Sequence, residues 1–170
     1  VRKRIITIAL LAYFAASLAA VFAVAERWRR ERVEPAQPIA FSHRLHVARN
    51  GINCDFCHGD ADRGSQAGAP AMSVCAGCHA QMRSDNAEIA KLQESLREDR
   101  VVPWNKVHAL PSHALFTHKR HVRRDIDCRT CHGEVRAMDR VRRMRSLSMG
   151  WCVACHRKNG APDDCVTCHR

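Results

Sequence analysis

The sequence predicts a helical, strand-poor fold: a single N-terminal transmembrane helix followed by a domain of short helices and loops with little or no sheet. That domain is expected to pack on bound cofactors rather than on a side-chain core. Three observations carry the expectation. The run Ile5 to Ala25 contains no charged residue, all ten cysteines fall in one repeated five-residue motif, and aromatic residues make up only 5% of the chain. No alternating apolar stretch of useful length stands between the turns, so strands are not expected.

The uncharged run has 21 residues, which as a helix spans about 30 Å, enough for one membrane crossing. Val1-Arg2-Lys3-Arg4 precedes it and Glu26-Arg27-Trp28-Arg29-Arg30 follows, so basic flanks on both sides orient it only weakly. A cleaved signal peptide ending at Ala23-Val24-Ala25 is the rival reading. The length of the run and Trp28 as an interfacial anchor favour a retained helix. Residues 1–30 are therefore read as a membrane anchor. Its alanines, from Ala12 to Ala23, suit packing against other membrane helices as well as a lipid-facing tether.

The repeated motif is Cys-x-x-Cys-His. It occurs at Cys54-Cys57-His58, Cys75-Cys78-His79, Cys128-Cys131-His132, Cys152-Cys155-His156 and Cys165-Cys168-His169. Each pentad reads as a covalent c-type haem site, in which two thiols form thioethers and the adjacent histidine supplies the proximal nitrogen to iron. Zinc binding or a disulfide framework also uses paired cysteines, but five intact copies with no cysteine left over point to five covalently bound haem c. Bacterial c-type attachment occurs outside the cytoplasm. The amino terminus is thus expected in the cytoplasm and residues 31–170 in the periplasm, as a multihaem cytochrome c domain on a single-pass inner-membrane protein.

Low-spin iron needs a second axial ligand, and six histidines lie outside the pentads. His43, His46, His108, His118 and His121 are the expected distal ligands. His113 is the spare, and Met149 and Met138 compete with His108 for the last site.

Beyond a linker with Pro35 and Pro38, the chain repeats itself. Phe41-Ser42-His43-Arg44-Leu45-His46-Val47 leading to Cys54 matches Phe116-Thr117-His118-Lys119-Arg120-His121-Val122 leading to Cys128, and Met72-x-x-Cys75 matches Met149-x-x-Cys152. The repeat covers 41–79 and 116–156, two pentads in each half. Between the halves, Asp85 to Arg100 is the clearest soluble helix, with Ile89, Leu92 and Leu96 on one face and Glu88, Lys91, Glu94 and Glu98 in water. A second helix is expected over Glu134 to Arg145, where Val135, Met138, Val141 and Met144 keep helical register.

The formal net charge is +11. It does not signal nucleic-acid binding, because ten haem propionates would bring the holoprotein near neutrality. Lys119-Arg120 and Arg123-Arg124 suit propionate contacts. Arg140, Arg142, Arg143 and Arg145 suit either the same role or docking to an acidic partner or lipid headgroups.

At Phe-Ser/Thr-His-x-x-His-Val ahead of Cys-x-x-Cys-His-Gly the chain resembles the multihaem cytochrome c3/c7 family. The resemblance implies that His43 caps the haem on His58 and His118 that on His132, while His46 and His121 reach haems held elsewhere. Pro103-Trp104-Asn105-Lys106-Val107-His108-Ala109-Leu110-Pro111 and Leu147-Ser148-Met149-Gly150-Trp151-Cys152, with the anchor and five pentads, resemble the pentahaem membrane-anchored cytochrome c component of bacterial alternative complex III over nearly the whole chain. That resemblance implies an electron-transfer subunit, not an enzyme by itself, of a quinol-oxidising respiratory complex. Its partners would be iron-sulfur/molybdopterin-like and polytopic quinol-binding membrane subunits, with a periplasmic cytochrome c or terminal oxidase as acceptor. A catalytic multihaem reductase would need an open iron, which the supply of histidines argues against. A self-sufficient anchored quinol dehydrogenase would oxidise quinol without partners.

Overall fold

The computed structural model describes residues 1–169. Helix α1, Arg2–Val33, is long and apolar enough to cross a membrane and buries none of its apolar window within the chain. It continues past the expected anchor without a break. Its last turns are charged and self-paired: Glu26 meets Arg29 at 2.7 Å and Arg30 at 3.0 Å, and Arg27 meets Glu31 at 3.0 Å, spacings that suit one helix face.

Everything after α1 is short helix and loop. A π-helical turn covers Arg44–Arg49, followed by α2 Cys54–Cys57, α3 Met72–His79, α4 Ala87–Arg97, α5 His118–Val122, α6 Cys128–His132, α7 Met149–Lys158 and α8 Cys165–Cys168. No strand occurs among the described residues, and one antiparallel bridge joins Ala114 to His169. The fold class expected from the sequence is the one observed.

Helix α4 starts at Asn86, whose side chain accepts from the Glu88 amide at 2.8 Å, an N-cap that satisfies one of the free amides of the first turn. Leu92 is buried, and Ile89 and Leu96 are half-buried beside it. Glu88 is not fully wet as expected: it is half-buried and accepts from the Ala40 amide and from Lys91, each at 2.6 Å. These contacts pin the linker to α4.

The helix expected over Glu134 to Arg145 is absent. Only a 3-10 turn at Val135–Ala137 forms there. The backbone groups that would close helical turns are engaged elsewhere. The Met138 carbonyl accepts from Arg44 N at 3.0 Å, and Arg143 N donates to the Val33 carbonyl at 2.8 Å. Asp139 also holds Arg44 at 2.5 Å and accepts from the Ser42 hydroxyl at 2.7 Å. The segment is a strap that ties the first half of the domain to the end of α1.

The loops that follow the two histidine segments close in the same way, although the first segment is a π-helical turn and the second, α5, an α-helix. Ile52 N donates to the His46 carbonyl at 3.1 Å, and Ile126 N to the His121 carbonyl at 3.2 Å. Both loops turn through a left-handed residue at the matching place, Gly51 at φ 69° and Asp125 at φ 55°. Asparagine and aspartate tolerate this region better than other non-glycine residues.

The side-chain core is very small. Ile39, Leu92 and Val102 are the buried residues of the described chain, with Met72, Cys75, Leu96 and Trp104 packed against them. Three aliphatic side chains bury too little apolar surface to offset the ordering of so long a chain.

Candidate haem-binding sites

Each pentad sits on a helical turn, which brings residues three apart to one face. The turns are set by local caps: Asp127 accepts from Arg129 N at 2.7 Å, Asp164 from Thr167 N at 3.1 Å and Ser148 from Trp151 N at 3.4 Å. None of the ten cysteines is in a disulfide. No three metal-ligating side chains converge among the described residues, the arrangement that a structural zinc cage requires.

The thiols lie close enough to feel one another across pentads. Burial pushes the Cys57, Cys128, Cys131 and Cys152 thiols up, and the next contributor to each is a thiol of another pentad: Cys75, Cys54, Cys155 and Cys168 respectively. These neighbours string the pentads in a row. In that row Cys75-Cys78 comes first, then Cys54-Cys57, Cys128-Cys131, Cys152-Cys155 and finally Cys165-Cys168.

The histidines are paired. His46 and His79 have ring centres 6.0 Å apart, His121 and His156 6.1 Å, and His118 and His132 6.2 Å. A metal–imidazole bond of about 2 Å, with roughly 1.1 Å from nitrogen to ring centre, places two trans imidazoles about 6 Å apart across one iron. The three separations fit an iron between each pair. His43 lies near His58 and feels its charge after the larger effect of burial, which together with His46 takes it down to about 4. Burial, then His46, lowers His79. Burial, then His118, then His58, lowers His132. Imidazoles so shifted are neutral at pH 7, the form that binds a metal.

Hydrogen bonding orients the rings in the same sense. The Nδ1 atoms of His46, His58, His118, His121, His156 and His169 each lie 2.5–3.2 Å from a backbone carbonyl, those of Ser42, Gly68, Ser65, Thr117, Pro162 and His113. A carbonyl on Nδ1 leaves Nε2 for a metal and fixes the ring plane. The buried Nδ1 atoms of His43 and His79 have no such partner. The residues present therefore fit haem.

Phe41 and Phe116 were not singled out for a role by sequence reasoning, yet each braces two of these rings. Phe41 lies 4.9 Å from His43 and 4.2 Å from His46, and Phe116 lies 4.8 Å from His118 and 4.7 Å from His121. Their identical place in the repeat was the available signal.

The remaining expected residues are placed differently. His108 meets the His132 ring at 4.3 Å and 81°. Met149 is exposed and Met138 half-buried in the strap. The spare histidine, His113, faces His169 at 5.7 Å.

A family model described as cytochrome c3 matches residues 45–134, more than half of the chain. The chain belongs to the cytochrome c3 family. A second model, cytochrome c7 and related cytochrome c, matches residues 114–170 of this cytochrome, so the two matches overlap on the second Phe-x-His-x-x-His segment. This multihaem cytochrome is also similar to the menaquinone reductase multiheme cytochrome c subunit of Nitratidesulfovibrio vulgaris. The two are 26% identical, in an alignment covering 79% of this chain and 77% of the relative. The cytochrome thus carries covalent haem c and works in electron transfer, on a chain whose N-terminal helix fits a membrane anchor.

Proposed function

We propose that this cytochrome carries five haem c and is the electron-relaying subunit of a quinol-oxidising respiratory complex of the alternative complex III type. Attachment falls to the ten pentad cysteines, and His58, His79, His132, His156 and His169 are the proximal ligands. His43, His46, His118 and His121 are distal ligands to the haems of His58, His79, His132 and His156. The observation that carries the reading is the set of three facing histidine pairs at 6.0–6.2 Å, each of which would leave an iron held between its rings no open position. Haem c held at these residues supplies one-electron Fe(III)/Fe(II) exchange.

Residues 31–170 act as one domain, because thiols of both halves share the row of pentads and the strap joins them. The domain lies on the periplasmic side, where c-type attachment takes place, with the amino terminus of α1 in the cytoplasm. Iron-sulfur/molybdopterin-like and polytopic quinol-binding subunits are the membrane partners, and a periplasmic cytochrome c or oxidase is the acceptor. One observation favours a second reading. The relative named as a menaquinone reductase subunit would run such a relay toward the quinone instead of away from it.

Purification in mild detergent, with mass spectrometry of the co-purifying chains, tests the assembly. Recovery of iron-sulfur and polytopic subunits that reduce the haems with menaquinol is expected. A solitary cytochrome that retains its full quinol-linked electron transfer would defeat the proposal. Net reduction of quinone from a periplasmic donor would select the second direction.

A further inference from the structure

We propose that His113, and not His108, is the distal ligand opposite His169 on the last pentad. The inference rests on the reading that Cys165 and Cys168 hold a haem. The rings of His113 and His169 have centres 5.7 Å apart and planes at 25°, close to the about 6 Å that two trans imidazoles keep across one metal. Backbone contacts hold this facing pair in place. Ala114 and His169 form an antiparallel bridge, Leu115 N donates to the Cys168 carbonyl at 2.8 Å, and His169 Nδ1 lies 3.2 Å from the His113 carbonyl. The last contact commits Nδ1 of His169 and leaves its Nε2 for iron.

His108 has the opposite geometry. The histidine ring it meets among the described residues is His132, at 4.3 Å and edge to face, too close for a metal between them. His132 already faces His118 at 6.2 Å and 11°. The Nε2 of His108 is buried without a hydrogen-bond partner, but the histidine ring beside it does not stand at an iron-spanning distance. With His113 counted in and His108 out, every pentad histidine has a distal partner.

The test compares the full-length haem-loaded variants His113→Ala, His113→Met and His108→Ala in detergent. Haem-bearing peptides are first counted by mass spectrometry. With the haem still on Cys165-Cys168, His113→Ala is expected to convert one haem's share of the low-spin ferric signal to high spin and to bind carbon monoxide when reduced. His113→Met is expected to restore six-coordination with the near-infrared band of a thioether ligand, and serves if the alanine variant does not accumulate. His108→Ala is expected to leave every haem low-spin. An all-low-spin spectrum for His113→Ala, or a high-spin haem in His108→Ala, would overturn the assignment. A last pentad without haem would overturn it too, and is distinguishable because the reading beneath it fails first, at the peptide count.

Discussion

The histidine pairs differ in ring angle, and that difference is measurable. His118 and His132 are near-parallel at 11°, whereas His46–His79 and His121–His156 stand at 51° and 43°. Parallel axial rings split the iron orbitals most, so rhombic ferric signals are expected from the His118–His132 pair and, at 25°, from the proposed His113–His169 pair, beside more axial, larger-g signals, and electron paramagnetic resonance of the oxidised protein checks it. Removing a distal imidazole should leave the thioethers intact. His43→Ala is expected to keep its haem attached but five-coordinate, read as carbon monoxide binding by the reduced protein at unchanged haem content. Gly133 makes a separate case. At φ 73° and ψ −164° it occupies a region nearly restricted to glycine, and an added Cβ would stand 2.7–2.9 Å from Met144 side-chain atoms. Gly133→Ala is expected to cost about 1–3 kcal/mol in denaturant unfolding. The matching Gly59→Ala, at ordinary φ and with its closest neighbour at 3.4 Å, should cost less.

Among the elements, α4 and the strap mark what a sequence discloses and what it does not. Helix α4 was legible because Ile89, Leu92 and Leu96 repeat at helical spacing within one local window, whereas its cap at Asn86 came only with the structure. The pentads were legible for a different reason, since covalent attachment dictates both spacing and residue type. The strap carries an equally regular apolar pattern at Val135, Met138, Val141 and Met144, but its hydrogen bonds go to Arg44 and Val33, about 100 residues away, and no local window records that choice. His113 was obscure likewise, its partner lying 56 residues downstream. The small core makes α4 sensitive to truncation. Leu92→Ala is expected to lower stability by about 2–4 kcal/mol in a denaturant titration, while the haem spectrum of the folded fraction stays unchanged.

For the whole molecule, the shortage of buried side chains makes haem attachment and folding one event. The full chain expressed without haem-attachment machinery is expected to show weak far-ultraviolet dichroism outside α1 and no cooperative melt. Cys57→Ala should depress maturation beyond its own site, counted as mature protein with fewer than four haems or as little mature protein at all. A variant stable with all the other haems in place would show that the halves fold separately.

Helix α1 has 32 residues, about 48 Å of rod against a hydrocarbon layer about 30 Å thick. Its surplus turns carry their own ion pairs, and its last carbonyl is clasped by Arg143. The foot of the domain is therefore tied to the stem by a hydrogen bond from the strap as well as by the chain itself. A cytochrome on a slack leash meets its donors by swinging; one tied at its foot in this way is held to a narrower range of heights and headings. Inserting two glycines after Val33 would restore the swing, at the expense of a constant tunnelling distance.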